Sequence, residues 1–157
     1  MDKVALFVDV QNVYYTTRQA YGRHFNYNRF WAQISDGREV VAAYAYAIDR
    51  GDIKQREFQN ILRAIGFEVK LKPFIQRADG SAKGDWDVGI TIDALEQTAA
   101  ADVVILVTGD GDFSLLVDTL RQNHGKTVEV YGVPQLSAIS LVNAASRFIA
   151  IDEELLL

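Results

Sequence analysis

The chain has no cysteine, only two prolines, two histidines and one methionine. Without cysteine it has no disulfide, no thiol nucleophile and no cysteine-held zinc, a usage that fits the cytoplasm. With so little proline and no Ser/Gly-rich tract, nothing reads as a linker. No apolar run approaches the roughly 18 residues of a membrane helix, so no membrane contact is expected. The start, Met1-Asp-Lys3, lacks the basic and long apolar regions of a signal peptide. Both histidines, His24 and His124, lie outside every motif, and His124-Gly125 reads as a helix end.

The 157 residues are 49% hydrophobic and 24% charged, which suits one domain, residues 1–157, with one sizeable core. The net charge of -5 argues against a protein that coats nucleic acid by bulk electrostatics. The charge is uneven. Residues 1–83 hold 13 of the 16 Lys/Arg and 9 of the 21 Asp/Glu, a balance of +4; residues 84–157 hold 3 and 12, a balance of -9. A metal on the acidic side and a phosphate backbone on the basic side would use such a split, although ordinary surface charge also produces one.

Hydrophobic patterning predicts strands over 4–10, 40–48, 67–74, 103–107, 127–131 and 148–151. It predicts helices over 28–35, 52–65, 85–97, 113–123 and 136–145. The third strand has Lys70 and Lys72 on its polar face and reads as close to a sheet edge. The helix over 85–97 is expected to bury Val88, Ile92 and Leu95. Ile75 to Gly84 reads as a mobile polar loop, and the tail from Asp152 is left open between docked and frayed. Strands alternating with helices imply βαβ units and a three-layer α/β/α sandwich around a mainly parallel sheet. Strand order is not legible. If the first and fourth strands are neighbours, their carboxyl ends form the crevice where such sheets bind ligands.

The most informative stretch is Thr108-Gly-Asp-Gly-Asp-Phe113, directly after the apolar run Val103–Val107. It places Asp110 and Asp112 on a glycine-rich turn at the end of a strand. Asp9 ends the first strand in Phe7-Val-Asp-Val-Gln-Asn12, and Asp87 opens a helix in Lys83-Gly-Asp-Trp-Asp-Val88. Four carboxylates on one rim without histidine suit Mg²⁺ or Mn²⁺ better than zinc. Structural roles stand beside this reading: Asp112 and Asp87 also suit helix N-termini. Asp9 is harder to place so, because a carboxylate ending a buried strand is costly unless paired or coordinated. Asp85 competes as a simple cap, and Asp93 as a residue behind the site. An EF-hand from Asp110 would need glycine at Leu115 and glutamate at Arg121; a dinucleotide loop from Gly109 would need glycine at Ser114. No Walker loop or Gly-x-Ser-x-Gly elbow is present, and Gln11 stands where an aspartyl-phosphate hydrolase needs a second aspartate.

These three motifs, in this order, closely resemble the NYN domain of the LabA-like group in the PIN-like nuclease superfamily, over about residues 3–151. The resemblance implies a PIN-like fold with the first and fourth strands adjacent, and a metal-dependent ribonuclease. Asp9, Asp87, Asp110 and Asp112 match its acidic metal-binding positions, with Asp85 competing for the position of Asp87. Asn12 matches the asparagine accompanying the first aspartate, and Thr108 a hydroxyl at the site. Hydrolysis of single-stranded RNA with Mg²⁺ or Mn²⁺ is the expected activity. Lys83 and Arg77 are expected to hold the backbone, with Tyr14 or Tyr15 stacking on a base. The alternative is a non-catalytic RNA- or protein-binding regulator on the same fold. Oligomeric state is open, a homodimer included.

Overall fold

The computed structural model describes residues 1–73, 75–76, 82–83 and 85–157, with 75–76 and 82–83 described by backbone. Six strands form one parallel sheet: β1 (Asp2–Asp9), β2 (Arg38–Asp49), β3 (Glu68–Pro73), β6 (Val103–Val107), β7 (Thr127–Gly132) and β8 (Arg147–Ala150). Their spatial order is β3-β2-β1-β6-β7-β8, each neighbouring pair parallel. The chain therefore winds outward in both directions from the β1/β6 pair, and the conditional adjacency of the first and fourth predicted strands is met. β3 is an edge strand, as its alternation predicted.

Helices α1 (Val10–Tyr21), α2 (Tyr27–Ile34) and α3 (Ile53–Ile65) cover one face; α4 (Asp87–Glu96), α5 (Ser114–Gln122) and α6 (Ile139–Ala144) cover the other. The strand period of two sorts the core. Val4, Leu6 and Val8 of β1 join the first layer with Val13, Phe30 and Leu62, while Ala5 and Phe7 join the second with Ile90, Leu116 and Leu141. β6 divides likewise, which is why its five residues read as one unbroken apolar run. Burying each large aliphatic or aromatic side chain contributes about 1.5–3 kcal/mol. Among the described residues no helix is long and apolar enough to cross a membrane.

Sequence reading missed α1. Its interior is rich in β-branched and aromatic residues, which are poor helix formers. The signals lay at its ends: Asp9 caps the start by accepting from the Asn12 N–H, and Gly22 ends it in the left-handed region at φ 63°. The face expected to be buried on α4 was also wrong. Ile90 and Ala94 are buried, whereas Val88 is 69% exposed and Ile92 47%. The helix is apolar on most sides, so periodicity did not choose. Asp93 sets the rotation instead, because its carboxylate accepts from Tyr46 Oη (2.8 Å) and Lys70 Nζ (2.7 Å). Lys70 and Lys72 on the polar face of β3 accordingly meet α4 and the residues that open it, while Glu68 stays exposed. On α3, Leu62 is buried as expected, but Ile61 is exposed and Gln59 buried.

Within the span read as a loop, β4 (Ile75–Gln76) and β5 (Ala82–Lys83) pair antiparallel. Residues 77–81 and 84 of that span, and Phe74 at the end of the predicted third strand, lie outside the described residues. The predicted last helix begins only at Ile139, after a short 3-10 turn over Pro134–Leu136 and an extended Ser137-Ala138. The tail is docked: Leu155 and Leu156 are buried, Asn26 N–H donates to Leu155 O (2.7 Å) and Leu157 N–H to His24 O (2.8 Å).

Candidate metal centre at the β1/β6 crevice

The carboxyl ends of β1 and β6 meet because their registers match from Val4 opposite Val103 to Val8 opposite Val107. The next residues, Asp9 and Thr108, therefore leave the sheet side by side, and Thr108 Oγ1 lies 3.4 Å from Asp9 Oδ2. Thr108 Oγ1 also accepts from the Asp110 N–H at 3.2 Å. Asn12, one turn into α1, accepts the Gly109 N–H on Oδ1 at 2.9 Å. One asparagine thus links the two strand ends.

The loop after β6 is shaped by its glycines. A Cβ on Gly109 would stand 2.8 Å from Leu136 O, and one on Gly111 2.8 Å from Ala138 Cβ. The Ala138 N–H donates to Gly109 O at 3.0 Å, so the loop is sewn onto the extended segment before α6. Asp110 then caps a 3-10 turn over Gly111–Phe113, its Oδ1 accepting the Asp112 N–H at 2.9 Å. Phe113 is buried in the second core layer and anchors the turn.

Asp87 is the first residue of α4. Carboxylate oxygens of Asp87, Asp110 and Asp112 all lie within 4.8 Å of one another. Asp9 is not one of the three; it is 9% exposed at the floor of the crevice and is felt electrostatically by Asp87. Burial, with Asp110 adding repulsion, pushes the Asp9 carboxyl up to about 6 against the lowering effect of its bonds to Asn12 and Thr108. Desolvation, then the charge of Asp110, pushes Asp87 up to about 7. Burial is the main cause in both, and among the described residues neither acid has an ion pair to offset it.

The donor set fits a hard divalent cation. It is all carboxylate oxygen, and ligand oxygens around an octahedral Mg²⁺ at about 2.1 Å stand roughly 3–4 Å apart, a spacing that the 4.8 Å spread of the trio accommodates. Asp85 is not in the trio; its Oδ1 accepts the Asp87 N–H at 3.3 Å, which is the capping role open to it. Asp93 is turned away to Tyr46 and Lys70. Tyr14 is 42% exposed on α1, and its described ring neighbours are Tyr15, His24 and Arg18, none of them acidic. Tyr15 is also exposed, so neither tyrosine is a core residue. Arg77 and the side chain of Lys83 lie outside the described residues.

One basic residue beside the acids was not recognised from sequence. Lys72 Nζ donates to Asp85 O at 2.9 Å and sits 4.7 Å from the centre of the Trp86 ring. Its position as an alternating edge-strand lysine gave no hint that β3 would carry it to the start of α4.

Residues 3–152 match the NYN domain family. The chain belongs to that family. NYN domains are PIN-like nucleases, and the six-stranded parallel sheet with helices on both faces is the fold expected of them. The chain is 29% identical to the low amplitude and bright protein LabA of Synechococcus elongatus, over 96% of this chain and 84% of that protein. It is 59% identical to a protein of unknown function from Vibrio parahaemolyticus with a crystal structure, at a TM-score of 0.95, covering 99% of this chain and 96% of that one. That similarity extends to the docked tail, beyond the residues that define the NYN match.

Proposed function

We propose that this NYN domain is a metal-dependent ribonuclease that hydrolyses phosphodiester bonds of single-stranded RNA, working as one cytoplasmic domain. The observation that carries this reading is the convergence of Asp87, Asp110 and Asp112 within 4.8 Å, beside a buried Asp9. Asp87, Asp110 and Asp112 would hold Mg²⁺ or Mn²⁺, with Asp9 completing the set from the crevice floor. A cation there supplies an activated water and neutralises charge on the phosphate. Asn12 and Thr108 keep the two strand ends in register, and so hold Asp9 and Asp110 in place. A water oxygen bonds to phosphorus, one P–O ester bond breaks, and the departing sugar oxygen takes up a proton. Tyr14 and Tyr15 offer exposed rings on which a base could stack, with Lys83 and Arg77 in the basic segment before α4.

The test is cleavage of labelled RNA in Mn²⁺ or Mg²⁺ by the wild type and by Asp110→Asn. Wild-type cleavage that vanishes with EDTA and in the variant supports the enzyme. Equal cleavage by both proteins assigns the activity to a contaminant. Mn²⁺ binding without cleavage of any RNA supports the non-catalytic regulator.

A further inference from the structure

Two lysines of β3 face α4, and their charges are spent differently. Lys70 Nζ is 2.7 Å from Asp93 Oδ2, so its charge is compensated by a carboxylate. Lys72, two residues further toward the carboxyl end of the sheet, reaches no carboxylate within 4.0 Å among the described residues. Its ammonium instead donates to the backbone carbonyl of Asp85 and rests over the Trp86 indole. One of its three N–H donors is used, leaving two.

The platform beneath it is rigid. Trp86 Nε1 donates to Ala47 O at 2.8 Å, its ring meets Tyr46 edge-on at 5.3 Å, and the backbone of Gly89 leaves no room for a Cβ beside it. Those contacts hold the indole in place, so Trp86 aims the lysine. Asp87, a member of the acidic trio, is the next residue in the chain. Among the described residues, a cation with no carboxylate partner thus stands at the start of α4, one residue from a member of a trio whose own charge repels a polyanion.

The geometry points to Lys72 as a substrate-binding residue: it contacts an RNA phosphate adjacent to the one at the acidic centre, and Trp86 is its positioning residue. The assignment rests on the ribonuclease reading above and names one contact of its substrate, at the start of α4. Binding energy placed there is independent of the chemistry at the carboxylates.

The experiment measures binding without turnover: fluorescence anisotropy of a 5′-labelled single-stranded RNA in Ca²⁺, across a salt series. Lys72→Gln is expected to weaken binding about 3- to 10-fold and to lower the salt slope by about 0.7, the release from one phosphate contact on a single strand. Lys72→Arg should restore most of the affinity, and Lys3→Gln, at the amino end of β1 and so at the far end of the sheet from the crevice, should change nothing. If wild type and Lys72→Gln bind equally with equal slopes, the lysine only pins α4 and the assignment is overturned, while the ribonuclease reading stands. If the wild type binds no RNA in any salt, the ribonuclease reading falls and the assignment with it. A loss in Lys72→Gln that Lys72→Arg does not restore, accompanied by a lowered melting temperature, also overturns it.

Discussion

Asn12 Oδ1 accepts the Gly109 N–H at 2.9 Å, joining residues 97 apart in sequence across the β1/β6 crevice. Asn12→Ala would leave that part-buried N–H without its partner, at a cost of about 1–3 kcal/mol. Asn12→Asp keeps an acceptor but adds a fifth carboxylate to the rim. We expect Asn12→Ala to lose stability in urea denaturation and to bind Mn²⁺ more weakly by calorimetry, whereas the added charge of Asn12→Asp should not weaken Mn²⁺ binding. Unchanged stability in the alanine variant would mean that the loop after β6 is held without it.

The raised carboxyls give the metal-free protein a defined pH dependence. Unfolded aspartates release their protons near pH 3.9, whereas Asp9 and Asp87 hold theirs to about 6 and about 7 when folded. Between these values the folded chain binds more protons than the unfolded one. Their contribution therefore makes stability fall as pH rises from about 4 to about 7. Mn²⁺ competes with those same protons, so its affinity should climb over the same window. At a concentration 100 times its Kd it adds about 2.7 kcal/mol. Thermal melts with and without Mn²⁺ should show a larger metal-induced gain at pH 8 than at pH 5; an equal gain at both would contradict the site.

Asp110→Asn separates function from stability. The amide keeps an oxygen to cap the Asp112 N–H but removes the charge that adds to burial in pushing Asp9 and Asp87 upward. The metal-free variant should be more stable than wild type at pH 7 by about 0.5–2 kcal/mol, the usual gain when a functional strain is relieved. It should lose cleavage on the order of 10²-fold or more. Chemical denaturation in EDTA reads the first effect, and a destabilised variant would show that the acids are not in conflict.

Gly89→Ala tests the packing that aims Trp86. Alanine is the better helix former by about 1 kcal/mol, yet its Cβ would stand 2.5 Å from Trp86 Cε3. The indole is tied to Ala47 O and cannot swing away freely. We expect a net loss of about 1–3 kcal/mol, a shift in tryptophan emission, and weaker Mn²⁺ binding because Asp87 follows Trp86 directly. A stabilised variant with unchanged emission would refute this.

The sequence alone determined the layer architecture and named the candidate acids, with Asp85 and Asp87 left competing for one position. The unbroken apolar run Val103–Val107, followed by Thr-Gly-Asp-Gly-Asp, reads as a buried strand that ends in a charged turn, and β6 is that strand. Alternation along β3 likewise marked an edge. Both are local signals, written in residues that are neighbours in the chain. The rotation of α4 was not local: its apolar residues spread around the helix, and the bond from Tyr46 and Lys70 to Asp93 chose which of them to bury. The grouping of Asp87 with Asp110 and Asp112, and the delivery of Lys72 to Trp86, depended on strand order. Hydrophobic pattern specifies which face of a strand is buried and leaves open which strand lies beside it. Tertiary packing decided that, and with it which charges face one another.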